Sequence, residues 1–86
     1  MKIIHYSYKK HGKIEFWFEQ WPNSPVVFTP IKEYYFIRFV KWNELDPLVT
    51  KDDLGKMELI VNQYLGRGEY YLQRKYFEQD RVKLPK

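Results

Sequence analysis

The sequence contains no cysteine and no alanine, and only four of its 86 residues are glycine. Without cysteine the chain forms no disulfide and offers no thiolate for metal binding or catalysis, which fits a reducing compartment. No apolar run approaches the roughly 20 residues of a membrane-spanning helix, and residues 1–5 turn polar too early for a signal peptide. We therefore expect a cytoplasmic protein that does not enter a membrane.

Aromatic residues, by contrast, make up 20% of the chain. A chain of this length folds as one domain, and a domain so small buries only roughly 60–65% of its unfolded surface. Each buried aromatic side chain hides roughly 150–250 Å², which compensates in part for the small size. We expect a single domain, 1–86, of modest stability.

Positive charge is concentrated at the two ends of the chain. The net charge is +4, to which residues 1–14 contribute +4, residues 15–66 contribute −3 and residues 67–86 contribute +3. If the two ends meet in space, they form a basic surface for an anionic partner. The alternative is that these side chains only keep the protein soluble.

Residues 32–42 form the longest run of β-branched and aromatic residues, which favour strands. Both faces of this strand are apolar apart from Arg38, a pattern typical of a central strand that is covered on both sides. The shorter strand 26–29 ends at Pro30, which cannot donate to a ladder, so we expect it at a sheet edge. The two prolines of residues 21–25 predict a break before it.

Residues 2–9 and 13–20 predict a β-hairpin whose register follows from the turn. A three-residue turn at 10–12, with Gly12 in the left-handed conformation, places apolar residues opposite one another and gives one apolar face. The predicted pairs are Tyr8 with Ile14, Tyr6 with Phe16 and Ile4 with Phe18.

Trp17 lies on the other, polar face of this hairpin, between Glu15 and Glu19 and opposite His5. One interpretation is that a later segment covers it. The other is that Trp17 contacts a partner, because tryptophan is enriched at binding hot spots.

Residues 50–65 predict an amphipathic helix. Thr50 and Asp53 match a capping box, and Gly66 is suited to end the helix. An apolar stripe faces the sheet and polar residues lie mostly opposite. The stripe contains Leu54, Met57, Val61, Tyr64 and Leu65, with Ile60 at its margin; the polar face contains Lys51, Asp52, Lys56, Glu58 and Asn62.

Residues 69–84 combine strand-like alternation with helix-forming residues. We slightly favour an antiparallel strand over 69–77, followed by a loose basic tail at 78–86; the alternative is a second helix over the sheet. The fold class predicted is α+β, with an antiparallel sheet of four to five strands and one capped helix (50–65) packed on one face.

No motif indicates catalysis. His5 falls in the middle of a predicted strand and His11 at a turn, so they should not converge on a metal, and one hairpin supplies too few ligands for zinc. Neither Ser7 nor Ser24 stands in a nucleophile-elbow motif. We therefore expect no enzyme, no cofactor and no metal site.

Binding remains, and nucleic acid is the partner that we favour. Basic side chains can contact phosphates, and exposed aromatic side chains can stack on unpaired bases. The candidate residues are Lys9, Lys10, Lys13, Trp17, Trp42, Arg67, Arg74 and Lys75.

The alternative is a protein-binding regulator or inhibitor of phage or mobile-element type, for example against a host defence nuclease. The lack of alanine beside abundant lysine, tyrosine and isoleucine resembles the codon bias of AT-rich genomes, which such elements often share. Hot-spot residue types are also abundant. Such a protein would act through the edge strand 26–29 or through an aromatic sheet face at 34–42, which could also form a homodimer.

Overall fold

The structure is a computed structural model, and it describes residues 1–74. One antiparallel sheet of four strands, in the order β1-β2-β3-β4, carries two helices, which confirms the α+β class. The elements are β1 (Ile3–Tyr8), β2 (Ile14–Phe18), β3 (Trp21–Ile31), β4 (Tyr34–Val40), α1 (Lys51–Tyr64) and α2, which begins at residue 68 and is described to residue 74.

The first hairpin has the predicted register over most of its length. Tyr6 lies opposite Phe16 and Tyr8 opposite Ile14. Gly12 has a φ of +74° at the end of the turn Lys10–Gly12, as predicted. The pairing of Ile4 with Phe18 is wrong, because a bulge after Ile3 shifts the register by one residue and brings Ile3 opposite Phe18.

The expectations for residues 21–29, which belong to β3, are wrong in two respects. Residues 21–25 are not a break but the first part of β3, which lies between β2 and β4 and is not an edge. Tyr35 lies opposite Pro30. The amide and carbonyl of Tyr35 bond to α1 and therefore point away from β3. The nitrogen of Pro30 therefore points to the other side, where the pairing of β2 has already ended at Phe28.

β4 lies at the edge of the sheet, which corrects the central position predicted for 32–42. The first two residues of the predicted range, Lys32 and Glu33, lie outside β4 and form the turn that joins β3 to β4. An extra residue, Arg38, bulges between the positions opposite Phe28 and Val27. One side of the strand packs on the core, and its first residue contacts Tyr71 of α2 from the other side.

The core lies between the sheet and α1. Met57 and Val61 are fully buried there, and the capping box of Thr50 and Asp53 is formed as predicted. Gly66 has a φ of +76° and closes α1. The amide of Gly66 bonds to the carbonyl of Gln63, and the amide of Arg67 to that of Asn62, which is a Schellman motif. The buried hydrophobic side chains of the core cluster are Ile14, Phe16, Phe18, Trp21, Val26, Phe28, Met57 and Val61.

The predicted faces of α1 are wrong at three positions. Tyr64 is 57% exposed rather than part of the apolar stripe. Asn62, predicted on the polar face, is fully buried, and Glu58 also points towards the sheet. Both side chains form hydrogen bonds with backbone groups at the outer edge of β4. These two polar residues therefore face the neighbouring strand rather than solvent.

Two side chains of α1 make hydrogen bonds to the backbone of β4. Asn62 Oδ1 accepts from the amide of Tyr35 at 2.8 Å, and Asn62 Nδ2 donates to the carbonyl of the same residue at 2.7 Å. Glu58 Oε2 accepts from the amide of Ile37 at 2.9 Å. The helix thus satisfies groups that a fifth strand would otherwise pair with.

The loop between β4 and α1 is tied to the start of β3 by Asp46. This carboxylate is buried and accepts hydrogen bonds from the amide and side chain of Asn23 and from the hydroxyl of Ser24. Burial raises the pKa of Asp46, but these hydrogen bonds outweigh it and hold that pKa below its usual value.

α2 corrects the preference for a strand over 69–77. Tyr71 faces inward and is 1% exposed, whereas its neighbours Tyr70 and Leu72 are exposed. The hydroxyl of Tyr71 donates to Glu58 at 2.7 Å, and burial together with that carboxylate raises the pKa of Tyr71 well above its usual value. The remainder of the predicted strand and the predicted tail at 78–86 lie outside the described residues.

Candidate nucleic-acid interface

The side of the sheet opposite α1, which we call the open face, carries the aromatic and basic residues of interest. Alternation along the strands places His5, Trp17, Val27 and Phe39 there, because Trp17 faces His5 and Val27 faces Phe39 across their ladders. Phe39 reaches this side only because the bulge at Arg38 reverses the alternation of β4.

Trp17 and His5 form a tilted aromatic pair on the open face. Their ring centroids are 4.8 Å apart, with the ring planes inclined at 46°. Trp17 is half-buried and His5 is exposed, so the side of the pair that faces solvent is aromatic. Phe39 is 47% exposed on the same side of the sheet. Flat exposed rings of this kind can stack on unpaired nucleobases.

Glu15 lies at the centre of the open face and is held between two lysines. It is 4% exposed, its carboxylate accepts a hydrogen bond from Lys41, and Lys9 lies 3.4 Å away. Burial raises the pKa of Glu15, but Lys41 and then Lys9 outweigh that effect and lower the pKa overall. Two ammonium groups against one carboxylate leave this cluster with a single positive charge.

Further lysines lie at one end of the sheet, where the β1–β2 turn and the β3–β4 turn are found. A β-carbon on Gly12 would lie 3.3 Å from the ring of Pro30, so the two turns are adjacent. This end carries Lys10 and Lys13 from the first turn and Lys32 from the second. None of the ion pairs within residues 1–74 involves these three lysines.

The other predicted site residues lie at separate places in the structure. Arg67 reaches the same end of the sheet, where it lies 3.8 Å from Glu33. Arg74 packs over the rings of Tyr34 and Tyr71, 5.5 and 4.6 Å from their centroids.

Trp42 is 46% exposed but does not join the open face. Its indole donates to the carbonyl of Pro47, which also accepts from the buried Trp21. Lys75 lies outside the described residues. The candidate interface therefore keeps Lys9, Lys10, Lys13 and Trp17 together.

Sequence reasoning missed two members of this interface, Phe39 and Lys41. The alternation of β4 placed Phe39 with Ile37, and only the bulge at Arg38 separates them. Nothing in the sequence was a reason to select Lys41, because its ion-pair partner Glu15 lies on β2, which is separated from β4 by β3. No local signal identifies either residue.

Residues 1–74 contain no cluster of three or more histidine, aspartate or glutamate side chains that could hold a metal ion. None of the helices in that range is long and apolar enough to span a membrane.

The fold and the open face define a small α+β domain with a meander sheet and an aromatic, basic surface. The profile of the family described as "Uncharacterised protein YuzH" matches residues 2–76 of this chain, and the chain belongs to that family. Comparison with curated proteins and with solved structures gave no match.

Proposed function

We propose that this chain is a non-enzymatic, cytoplasmic protein that binds single-stranded nucleic acid on its open face. The observation that carries the proposal is the aromatic pair of Trp17, half-buried, and His5, exposed, on a lysine-bearing sheet face that α1 leaves open. Single-strand binders combine stacking aromatic side chains with a positive track for the backbone in this way.

The spacing along β2 sets the length of nucleic acid that the interface can engage. Trp17 lies four positions after Lys13, which corresponds to roughly 13 Å along a strand at about 3.3 Å per residue. At the duplex spacing of 3.4 Å about four nucleotides cover that distance, and a more extended single strand needs fewer. An oligonucleotide that contacts both Trp17 and the lysines of the turn must span this distance.

The first test replaces the two lysines of the turn. We expect Lys10→Gln/Lys13→Gln to weaken binding of a labelled oligonucleotide of about twelve nucleotides, a length within known site sizes. The plot of log affinity against log salt should flatten by about 1.4, since each phosphate contact on a single strand contributes about 0.7. Fluorescence anisotropy at several salt concentrations measures this. The matched control is Lys51→Gln/Lys56→Gln on α1, which removes the same charge and should leave the slope unchanged.

The second test replaces the stacking residue. Trp17→Ala should cost about 1–3 kcal/mol of binding free energy on single strands and much less on duplex DNA. Trp42→Ala is the control, because Trp42 is more exposed than Trp17 but lies by Pro47, away from the open face. Equal losses in the two tryptophan variants, or no binding by the wild type at low salt, would refute the proposal.

The same experiments separate nucleic acid from a protein partner. A protein that docks on the open face would also lose affinity with Trp17→Ala, but its binding would depend little on the turn lysines at physiological salt. A pull-down with and without nuclease treatment shows which class of partner the wild-type chain retains.

A further inference from the structure

The two edges of the sheet differ, and the difference points to a second binding surface. α1 closes the edge of β4 through Asn62 and Glu58, as described above. Within residues 1–74 no strand pairs with the outer side of β1. Natural proteins usually blunt or cover an exposed edge, so an edge left open invites a partner strand.

The register shows which backbone groups of β1 are available. The amide of Lys9 donates to the carbonyl of Lys13 at 2.8 Å, so this pair is a hydrogen-bonded pair of the ladder. Hydrogen-bonded and non-bonded pairs alternate along an antiparallel ladder. The backbone of Tyr6 and Tyr8 therefore points away from β2, and each presents one N–H and one C=O outward.

Apolar side chains lie beside these groups. Tyr8 is 68% exposed, and Ile4 and Tyr6 are also exposed, although alternation places Tyr6 and Tyr8 on the side of the core. The ring of Tyr6 meets the exposed ring of Tyr64 on α1, with the centroids 6.1 Å apart. An open groove of about 630 Å³ runs between β1 and α1 here. Its apolar lining includes Ile4, Tyr6, Ile60 and Tyr64.

We propose that the outer edge of β1, together with this groove, binds an extended peptide of another protein by strand addition. The peptide would alternate apolar and acidic residues. In strand addition the backbone supplies affinity and alternate side chains supply specificity. Apolar residues of the peptide enter the groove beside Tyr6, and acidic residues lie on the opposite side, next to His5 and Lys9.

Charge decides between this partner and a second copy of the chain. Residues 1–14 carry four lysines and no acid. Two copies could pair antiparallel through β1, with Tyr6 of one copy opposite Tyr6 of the other. Lys2 of each copy would then lie close to Lys10 of the other copy. An acidic peptide meets the same lysines with opposite charge, so the edge favours the peptide over self-association.

The experiment titrates a peptide into the isotopically labelled full chain and follows its amide resonances. The probe is a capped peptide as long as β1, six residues of alternating valine and glutamate. We expect the amides of Tyr6 and Tyr8 to shift and their exchange with solvent to slow on binding. The control peptides carry lysine in place of glutamate, or N-methyl groups on alternate amides, and neither should bind.

Two variants of Tyr8 separate its backbone from its side chain. Tyr8→Pro removes an outward N–H that the β1–β2 ladder does not use, and should weaken peptide binding at least about fivefold more than Tyr8→Ala does. Circular dichroism shows that each variant keeps its fold. Equal weakening by both variants would mean that the peptide does not pair with the edge.

Three further results would overturn the proposal. Slow exchange of the Tyr6 and Tyr8 amides in the free chain would show that the edge is already paired. Equal binding of the lysine peptide would show that charge does not select the partner. A dimer in light scattering, with the same resonances shifting on dilution, would assign the edge to a second copy. The amides of Tyr6 and Tyr8 are distinct from Trp17, Lys10 and Lys13, whose variants test the nucleic-acid proposal, so the two proposals can fail separately.

Discussion

Asn62 allows a direct test of how α1 stabilises the edge of the sheet. Its side chain is fully buried and bonds both backbone groups of Tyr35, as well as the carbonyl of Glu58. Replacement by leucine keeps a similar volume but removes every one of these hydrogen bonds. The two backbone groups of Tyr35 then lose their partners at the edge of β4.

The expected cost follows from those two groups. An unsatisfied buried donor or acceptor costs about 1–3 kcal/mol, so two groups cost about 2–6 kcal/mol if water cannot reach them. Tyr35 is only half-buried, and partial access of water places the loss near the lower end of that range. We expect Asn62→Leu to lower the free energy of unfolding by about 2–3 kcal/mol, which corresponds to a fall in Tm of about 10–20 °C in a domain of this size.

Urea and thermal denaturation measure this loss, with Gln63→Leu as the matched control. Gln63 is the next residue of α1 and is exposed, so its replacement should change stability by less than about 0.5 kcal/mol. In Asn62→Leu the amide of Tyr35 should also exchange with solvent faster than in the control. An unchanged Tm for Asn62→Leu would refute the view that α1 stabilises β4 by closing its edge.

Four further outcomes are expected. Gly12→Val should destabilise the fold, because Gly12 has a φ of +74° and an added side chain would press on Pro30; a wild-type Tm would contradict this. Thr50→Ala should cost about 0.5–2 kcal/mol through loss of the cap, measured by urea denaturation. Val61→Asp should abolish the cooperative melt, because it places an unpaired carboxylate in the core. Stability should fall as the pH drops below about 5, because the folded-state pKa values of Glu15 and Asp46 lie below those of the unfolded chain. This contribution is present above the unfolded-state values and is lost as the pH falls through the folded-state values, and Asp46→Asn should reduce the loss.

Local patterns were sufficient for the elements that are defined by residues close in the chain. The register of the first hairpin follows from the alternation of Tyr6, Tyr8 and their partners and from the glycine at the turn. The capping box of α1 and its end at Gly66 follow from short spacings of residue types. These features depend on interactions between residues that are close in the chain, so the residue types and their spacing are enough to predict them.

Local patterns were misleading where a residue serves a distant backbone. Asn62 and Glu58 looked like solvent-facing residues because they are polar, yet they bind the edge of β4 more than 20 residues away. The prolines around β3 suggested a break and an edge, but Pro30 stands where β2 no longer pairs with the strand. The alternation in residues 69–77 suggested a strand, whereas the described part of that range is helical and the amide of Tyr71 donates to the carbonyl of Arg67, four residues earlier.

The sequence by itself determined the class of fold, the register of β1 with β2 and the caps of α1, because these depend on local periodicity and on the conformations that glycine and polar caps permit. Only the tertiary structure decided the order of the strands, the bulge that turns Phe39 to the open face, and the pairing of Glu15 with Lys9 and Lys41. It also decided which edge of the sheet is closed. The physical reason is that a strand exposes the same backbone groups on both edges, and their partners are set by packing between elements distant in the chain.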